Sequence, residues 1–357
     1  MNVLIVGINT KIASVFKNFS NVTLLNIDPK NRHYQEMKEY EIIDVKLNKR
    51  SKILNLINLY TKIIQIVRTK NIEIIFTNGK DAMIVSSIVK IFFMKKHITL
   101  LSTSHNSYAW ENSKEVKLYA KFISLFADGY ISLSSHVSSL LAKNGVDSRR
   151  IFTTANPIEQ KTFKVKSNYT FLKKVPTIVY VGVIYKGKGQ DILTKSINEL
   201  KKEGITVNLD FFGDIIDDAF YKENIEYIKT HGLEGNIIFR GQIDNSKLRE
   251  LLSYYDIYAC PSEMEMSPYN VIEAKAAGLP IIATNVGGIP DIISNNVNGI
   301  LVEPKDVMSL SEAIHLLIDN KDLREKLGKA AFLSSEEKHA PEHIAEKLNI
   351  FISNLKK

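Results

Sequence analysis

Glu265 and Glu273 stand eight positions apart in the stretch Pro261-Ser-Glu-Met-Glu-Met-Ser-Pro-Tyr-Asn-Val-Ile-Glu-Ala-Lys-Ala-Ala-Gly-Leu-Pro280. Within it Ser267 suits an N-cap and Pro268 a first helical position. Gly278 and then Pro280 are the residues that end helices. A short helix is therefore expected from Pro268 to Ala277, with Glu265 in the loop ahead of it and Glu273 on it. The free N–H groups at its start, with the positive end of its dipole, suit an anion such as a pyrophosphate. One carboxylate can then face a reacting centre while the other reaches a different part of the same ligand. A carboxylate accepts paired hydrogen bonds from vicinal hydroxyls, and a ribose offers them. Two glutamates at this spacing also describe a capped helix with solvated acids. The apolar run Ile281–Thr284 and the loop Gly287-Gly288-Ile-Pro-Asp, which follow directly, favour the ligand site.

The elements that must carry these residues repeat along the chain. Val3–Val6, Leu24–Ile27, Ile72–Phe76, Ile98–Ser102, Gly129–Ser132 and Ile151–Thr154 read as short buried strands. Between them run helical patterns, such as Lys52–Thr69 with apolar residues three and four apart. A polar, Lys-rich stretch from Lys161 to Lys174 interrupts the alternation and is the candidate interdomain linker. The cycle then restarts with Thr177–Val181, Val207–Phe212, Ile237–Phe239, Ile257–Ala259 and Ile281–Thr284, each ending at glycine, proline or a small polar residue. Alternating strands and helices make parallel α/β layers, and such sheets bind ligands beyond the C-terminal ends of their strands. Two doubly wound domains are expected, over residues 1–165 and 166–340, with 341–357 as a terminal helix.

With these residues in place, the segment from Pro261 resembles the Glu-x(7)-Glu region of the retaining glycosyltransferase family 4. The shared residues are Pro261, Ser262, Glu265, Glu273, Ala274, Ala276, Gly278, Pro280, Gly287 and Gly288. Met266-Ser267-Pro268 replaces the family's Gly-Phe-Gly, and Asp291 replaces a later Glu. Tyr-Val-Gly-Val-Ile-Tyr-Lys-Gly-Lys-Gly from Tyr180 is similar to the family's phosphate-side loop. Lys188 matches its lysine, whereas Val183 falls where the family has an arginine, which leaves Lys186 as the candidate replacement. The resemblance implies the GT-B fold, two Rossmann-like doubly wound domains facing a central cleft, with the C-terminal helix crossing back to the N-terminal domain. It implies a retaining, metal-independent hexosyl transfer without cofactor, from a nucleoside diphosphate sugar, a UDP-sugar first, to a glycan or lipid-linked acceptor. The family-level setting is bacterial surface polysaccharide synthesis.

By the same resemblance Glu265, His105 and Lys188 are the expected catalytic residues. Glu273 is assigned to the ribose, and Gly182, Lys186, Gly213, Ser267, Pro268, Tyr269 and Asn270 to the donor's other parts. Gln242 and Ile243 are the expected base contacts. His105 follows the strand Ile98–Ser102, where the family often places a histidine facing the donor sugar. Ile131–Ser134 and Asn156-Pro157-Ile158 stand where the family has Ser-rich and hinge elements.

Charge adds a second line of argument. Residues 1–166 hold 25 Lys+Arg against 12 Asp+Glu, a balance of +13, while the remainder carries 22 against 27, or −5. An anionic partner for the first half follows, either nucleic acid or an anionic membrane surface. A Lys-rich proteome bias is the bland alternative. No nucleic-acid-binding motif is present, and the aromatics do not interleave with a basic face. Met83–Lys96 is apolar with lysines at one end, which suits either a bilayer surface or a buried core helix. One cysteine, Cys260, fits a reducing cytoplasm, and no signal peptide or span of roughly 18–20 apolar residues is seen. A cytoplasmic enzyme, peripheral on the inner face of the membrane, is the expectation. A nucleotide-sugar epimerase and a catalytically silent partner-binding relative remain as rivals.

Overall fold

The computed structural model describes residues 1–7, 13–19, 21–26, 40–45, 51–93, 98–103 and 114–355. Contacts divide the chain into two units, 1–157 with 341–357, and 158–340.

The first unit is a seven-stranded parallel sheet. Its strands are β1 (Asn2–Val6), β2 (Asn21–Asn26), β3 (Glu41–Asp44), β4 (Ile74–Asn78), β5 (Thr99–Thr103), β6 (Gly129–Ser132) and β7 (Ile151–Thr153). They lie in the order β3-β2-β1-β4-β5-β6-β7. Helices α1 (Lys52–Thr69), α2 (Lys80–Phe92), α3 (Lys114–Phe126) and α4 (Ser135–Lys143) make the crossovers β3→β4, β4→β5, β5→β6 and β6→β7. All four steps run the same way across the sheet, so right-handed crossovers put these helices on one face. The other face holds Val3, Ile5, Phe16, Phe76 and Leu101, which form one core with Ile344, Leu348 and Ile352 of the terminal helix α12 (Pro341–Leu355). Strands buried on both faces need apolar residues at nearly every position, and β1 and β4 have them. Ser51 caps α1 by accepting from Leu54 N at 3.2 Å, which fixes where that helix starts.

The second unit repeats the plan with six parallel strands: β8 (Thr177–Val181), β9 (Asn208–Phe212), β10 (Ile237–Gly241), β11 (Ile257–Cys260), β12 (Ile281–Thr284) and β13 (Ile300–Val302). Their order is β10-β9-β8-β11-β12-β13. The crossovers and flanking layers are α5 (Gln190–Lys202), α6 (Asp218–Thr230), α7 (Asn245–Leu251), α8 (Tyr269–Ala276), α9 (Ile289–Ile292), α10 (Val307–Asp319) and α11 (Lys321–His339). The strand order reverses between β8 and β11, which pair directly at Ile257–Ile178 and Tyr258–Val179. That reversal opens a crevice at their C-terminal ends, the usual ligand position in such sheets.

The Lys-rich stretch expected to link the domains belongs to the second unit, and the division falls at 157/158 rather than 165/166. Phe163, Lys166 and Tyr169 are buried. Lys166 Nζ donates to Tyr255 O at 2.7 Å and lies 3.8 Å from Asp256, which also accepts from the N–H and hydroxyl of Thr177. Tyr169 donates its hydroxyl proton to Gly278 O at 2.8 Å, and Arg324 packs 4.0 Å over the Phe171 ring. Lys166 and Tyr169 thus fasten a strap to the unit, while Lys161, Lys173 and Lys174 of the same stretch are exposed. Among the described residues no helix is long and apolar enough to cross a membrane.

Candidate donor site

Two glycine turns close the ends of β8 and β9. Gly182 N donates to Phe212 O at 2.8 Å, and Gly213 N to Gly241 O at 2.9 Å. Gly213 has a φ of +145°, and a Cβ there would overlap the carbonyl oxygen of Gly182. The backbone then makes the turn Tyr185–Lys188, closed by Lys188 N donating to Tyr185 O at 3.1 Å. Glu263 N donates to Gly187 O at 2.9 Å, which joins this loop to the one after β11. Lys188 is thereby placed at the switch point by backbone contacts alone, while Lys186 and Val183 are exposed on the same loop.

Lys188 forms an ion pair with Glu265, and both side chains are largely buried. Glu265 is 3% exposed. Its carboxylate also accepts from Ser262 Oγ at 3.0 Å. Thr284 at the end of β12 holds Ser262 by donating to its carbonyl oxygen at 2.5 Å, and Gly288 N donates to Glu265 O at 2.8 Å. Burial alone would lower the Lys188 pKa, but the charge and hydrogen bond of Glu265 raise it on balance. The lysine is therefore a cation at any physiological pH, which is what an anionic ligand needs. Cys260, just below, is pushed up to about 12 by burial and by the Glu265 charge, so its thiol is neutral and takes no part as a nucleophile.

Helix α8 begins at Tyr269, one residue later than the sequence suggests. Pro268 occupies the cap in extended backbone (φ −68°, ψ 117°), and no side chain caps the helix, so Ser267 is not its N-cap. Asn270 donates from Nδ2 to Val181 O at 2.5 Å and accepts from Val271 N at 2.9 Å. Its side chain ties the helix start to the end of β8, so Asn270 is a positioning residue for the loop at Gly182. Glu273 lies on α8 and is 9% exposed, so neither glutamate is solvated on a helix surface. Gln242 is exposed just beyond β10, two strands away from β8. Ile243 is half-buried beside it.

In the first unit, Ser134 accepts from Val137 N at 3.3 Å and serves as the cap of α4. His105 lies outside the described residues. Among the described residues, no group of three His, Cys, Asp or Glu side chains is arranged to hold a metal ion.

Sequence reasoning missed Lys275. It is fully buried on α8, donates from Nζ to Ile292 O at 2.9 Å and lies 3.3 Å from Nε2 of the buried His339. Desolvation, then the Lys338 charge, lowers its pKa from the ordinary 10.5 to about 7, with Glu337 opposing. The signal was present as one lysine inside the run Ala-Lys-Ala-Ala. A lysine whose folded pKa is depressed binds fewer protons folded than unfolded, so stability rises with pH from about 7 toward the unfolded value and is lost as pH falls through that window. Lys275→Met is expected to be more stable than the wild type near pH 7, by on the order of a few kcal/mol. The gap should shrink as pH approaches 10. Parallel unfolding midpoints of the two proteins across pH 6–10 would remove the argument.

Comparison with known proteins fits this geometry. The family described as glycosyl transferases group 1 matches residues 162–333. Protein CapJ of Staphylococcus aureus is 30% identical over 189 residues, covering 50% of this chain and 46% of CapJ. The sulfoquinovosyl transferase SQD2 of Arabidopsis thaliana is 31% identical over 159 residues, 44% of this chain and 29% of its own length. The chain thus spans less than half of either relative. Among solved structures, Anabaena Alr3699/HepE in complex with UDP-glucose superposes with a TM-score of 0.80 at 18% identity, covering 99% of this chain and 100% of HepE. The chain has the GT-B fold of two Rossmann-like units, and its second unit carries the match to glycosyl transferases group 1.

Proposed function

We propose that this chain is a retaining, metal-independent glycosyltransferase of family 4 that moves a hexosyl group from a UDP-sugar to a hydroxyl of a glycan or lipid-linked acceptor. The observation that carries the reading is the buried Lys188–Glu265 pair at the β8/β11 switch point, with the Glu273-bearing helix starting beside it. A UDP-glucose complex of the structurally similar HepE and the sugar-transferase name of SQD2 support the donor class. In the reaction the bond between the anomeric carbon and the diphosphate oxygen breaks. The acceptor oxygen bonds to the same face of that carbon, and its proton passes to the departing phosphate. Charge develops on the diphosphate, where Lys188 and the N–H groups at the start of α8 stabilise it. Glu273 accepts from the ribose hydroxyls, Glu265 orients the donor sugar, and His105 contacts that sugar from the first unit. The setting is bacterial surface polysaccharide synthesis, with the first unit taking the acceptor.

Thermal unfolding against a panel of nucleoside diphosphates and their sugars tests the donor site. A ligand at about 100 times its Kd adds about 2.7 kcal/mol of apparent stability if it binds only the folded state. One UDP-sugar is expected to raise the wild-type midpoint, and Glu273→Gln to lose most of that shift while keeping its own unliganded midpoint. Should no nucleotide move the wild type, the donor assignment is wrong. The anomeric configuration of the product, read by NMR, decides retention. A donor isomerised without acceptor would point to an epimerase instead.

A further inference from the structure

Among the described residues of the first unit, large apolar side chains stand exposed on its surface. On α1, Ile53 is 72% exposed and Ile57 51%. On α2, Ile88, Ile91 and Phe92 are exposed at 50–61%, although the opposite side of that helix already buries Met83, Val85 and Val89. An apolar helix of this kind is expected to be covered on all sides, and at 13 residues α2 is too short to cross a bilayer. On α3, Leu118 and Leu125 are exposed at 49% and 64%. Single exposed apolar residues are ordinary; these lie on the three consecutive crossover helices that lead into the neighbouring strands β4, β5 and β6, on one face of the sheet.

Charge selects the partner. The three helices contain eight lysines and arginines and two acids, Asp81 and Glu115. On α3, exposed Lys117 and Lys121 alternate along the outer face with Leu118 and Leu125. The apolar side chains are spread over a layer of three helices instead of being gathered in one pocket, which suits a planar partner. Apolar side chains among lysines are the composition of a surface that rests in the headgroup region of an anionic bilayer.

We infer that the outer face of α1, α2 and α3 docks the protein on an anionic lipid bilayer, with Ile88, Ile91 and Phe92 entering the interface and Lys117 and Lys121 meeting headgroup phosphates. This deepens the reading of a lipid-linked acceptor given above. It is tested separately from donor chemistry, because the docking face uses residues of the first unit alone.

Co-sedimentation of the full chain with phosphatidylglycerol-containing vesicles and with pure phosphatidylcholine vesicles provides the measurement. The wild type should bind the anionic vesicles at least tenfold more tightly, and added salt should weaken that binding. The triple variant Ile88→Ser, Ile91→Ser, Phe92→Ser should lose at least tenfold in vesicle affinity. Lys117→Glu with Lys121→Glu should abolish the preference for anionic lipid. Because all five side chains are exposed, both variants should keep the wild-type unfolding midpoint and the same response to nucleotide sugar. Equal binding to both vesicle types, or vesicle binding unchanged in the triple variant, overturns the inference. So does a wild-type dimer in solution that the triple variant converts to monomer, since the face would then belong to a second copy. Loss of the nucleotide response in the wild type itself would count against the donor reading and leave the docking result standing.

Discussion

Replacing Lys188 by alanine is expected to destabilise the protein by about 3–5 kcal/mol and to cut transferase turnover by about 10²–10³-fold, for two separable reasons. The stability loss arises because Glu265 is 3% exposed and would lose its buried ion pair with Lys188. Ser262 still donates one hydrogen bond to it at 3.0 Å, which offsets only part of the lost ion pairing. On the proposed hexosyl transfer, the turnover loss arises because the lysine's positive charge would no longer meet the charge that develops on the leaving diphosphate.

A paired substitution separates the two effects. Lys188→Met together with Glu265→Gln removes both charges and keeps nearly the same volume, so most of the stability should return. Turnover should stay low, because no cation faces the phosphates. Chemical unfolding and steady-state kinetics on the two proteins supply the comparison. If the double variant recovers activity along with stability, Lys188 acts only as a structural partner of Glu265. If it recovers neither, strain from the substitutions dominates, and the ion-pair account of stability is wrong.

Most of the fold was legible because its strands are buried on both faces. Thr177–Val181, Gly129–Ser132 and Ile281–Thr284 read as uninterrupted apolar or small runs closed by glycine, proline or small polar residues, and the helix over Lys52–Thr69 has a clean three-and-four spacing. What escaped were β3 and β13, at the edges of the two sheets. An edge strand needs less apolar sequence, and Glu41–Asp44 sets two half-buried isoleucines between two exposed acids. The strap over 161–174 was misread for a related reason. Of its five lysines Lys166 is buried, but a sequence shows the charge and not Asp256 and the Tyr255 carbonyl that receive it.

The site divides in the same way. Glu265 and Glu273 were readable as a pair because their spacing and the residues that start and end the helix are local, and Lys188 entered through the resemblance of its loop to the family's. The contacts that aim them are not local: Ser262 and Gly288 bond Glu265 directly, and Thr284 at the end of β12 holds Ser262. Asn270 could be assigned to the ligand from sequence, yet its amide is engaged by the end of β8 across the sheet. Ser267 had the right residue type for a cap, but the cap falls one residue beyond it, at Pro268, whose backbone is extended.

Gly213→Ala should be the most damaging single-atom change at this site. Its φ of +145° is a conformation that side-chain-bearing residues rarely adopt, and the new methyl would overlap the carbonyl oxygen of Gly182. Neither backbone can yield independently, because Gly182 N is bonded to Phe212 O and Gly213 N to Gly241 O. Backbone strain of this kind costs about 1–3 kcal/mol before any collision is counted, so a total loss of at least about 3 kcal/mol is expected. Gly204→Ala supplies the control: its φ is +82°, but no atom lies within 4 Å of the added methyl. That variant should lose only about 1 kcal/mol from its left-handed backbone. The difference between the two, read from denaturant midpoints, isolates the contact between the loops that end β8 and β9. Because the β8 loop that Gly213 packs against leads to Lys188, the nucleotide response of Gly213→Ala should weaken while that of Gly204→Ala stays intact. Equal losses in the two variants would mean that the loops can part at no cost, and that their spacing does not hold Lys188 in place.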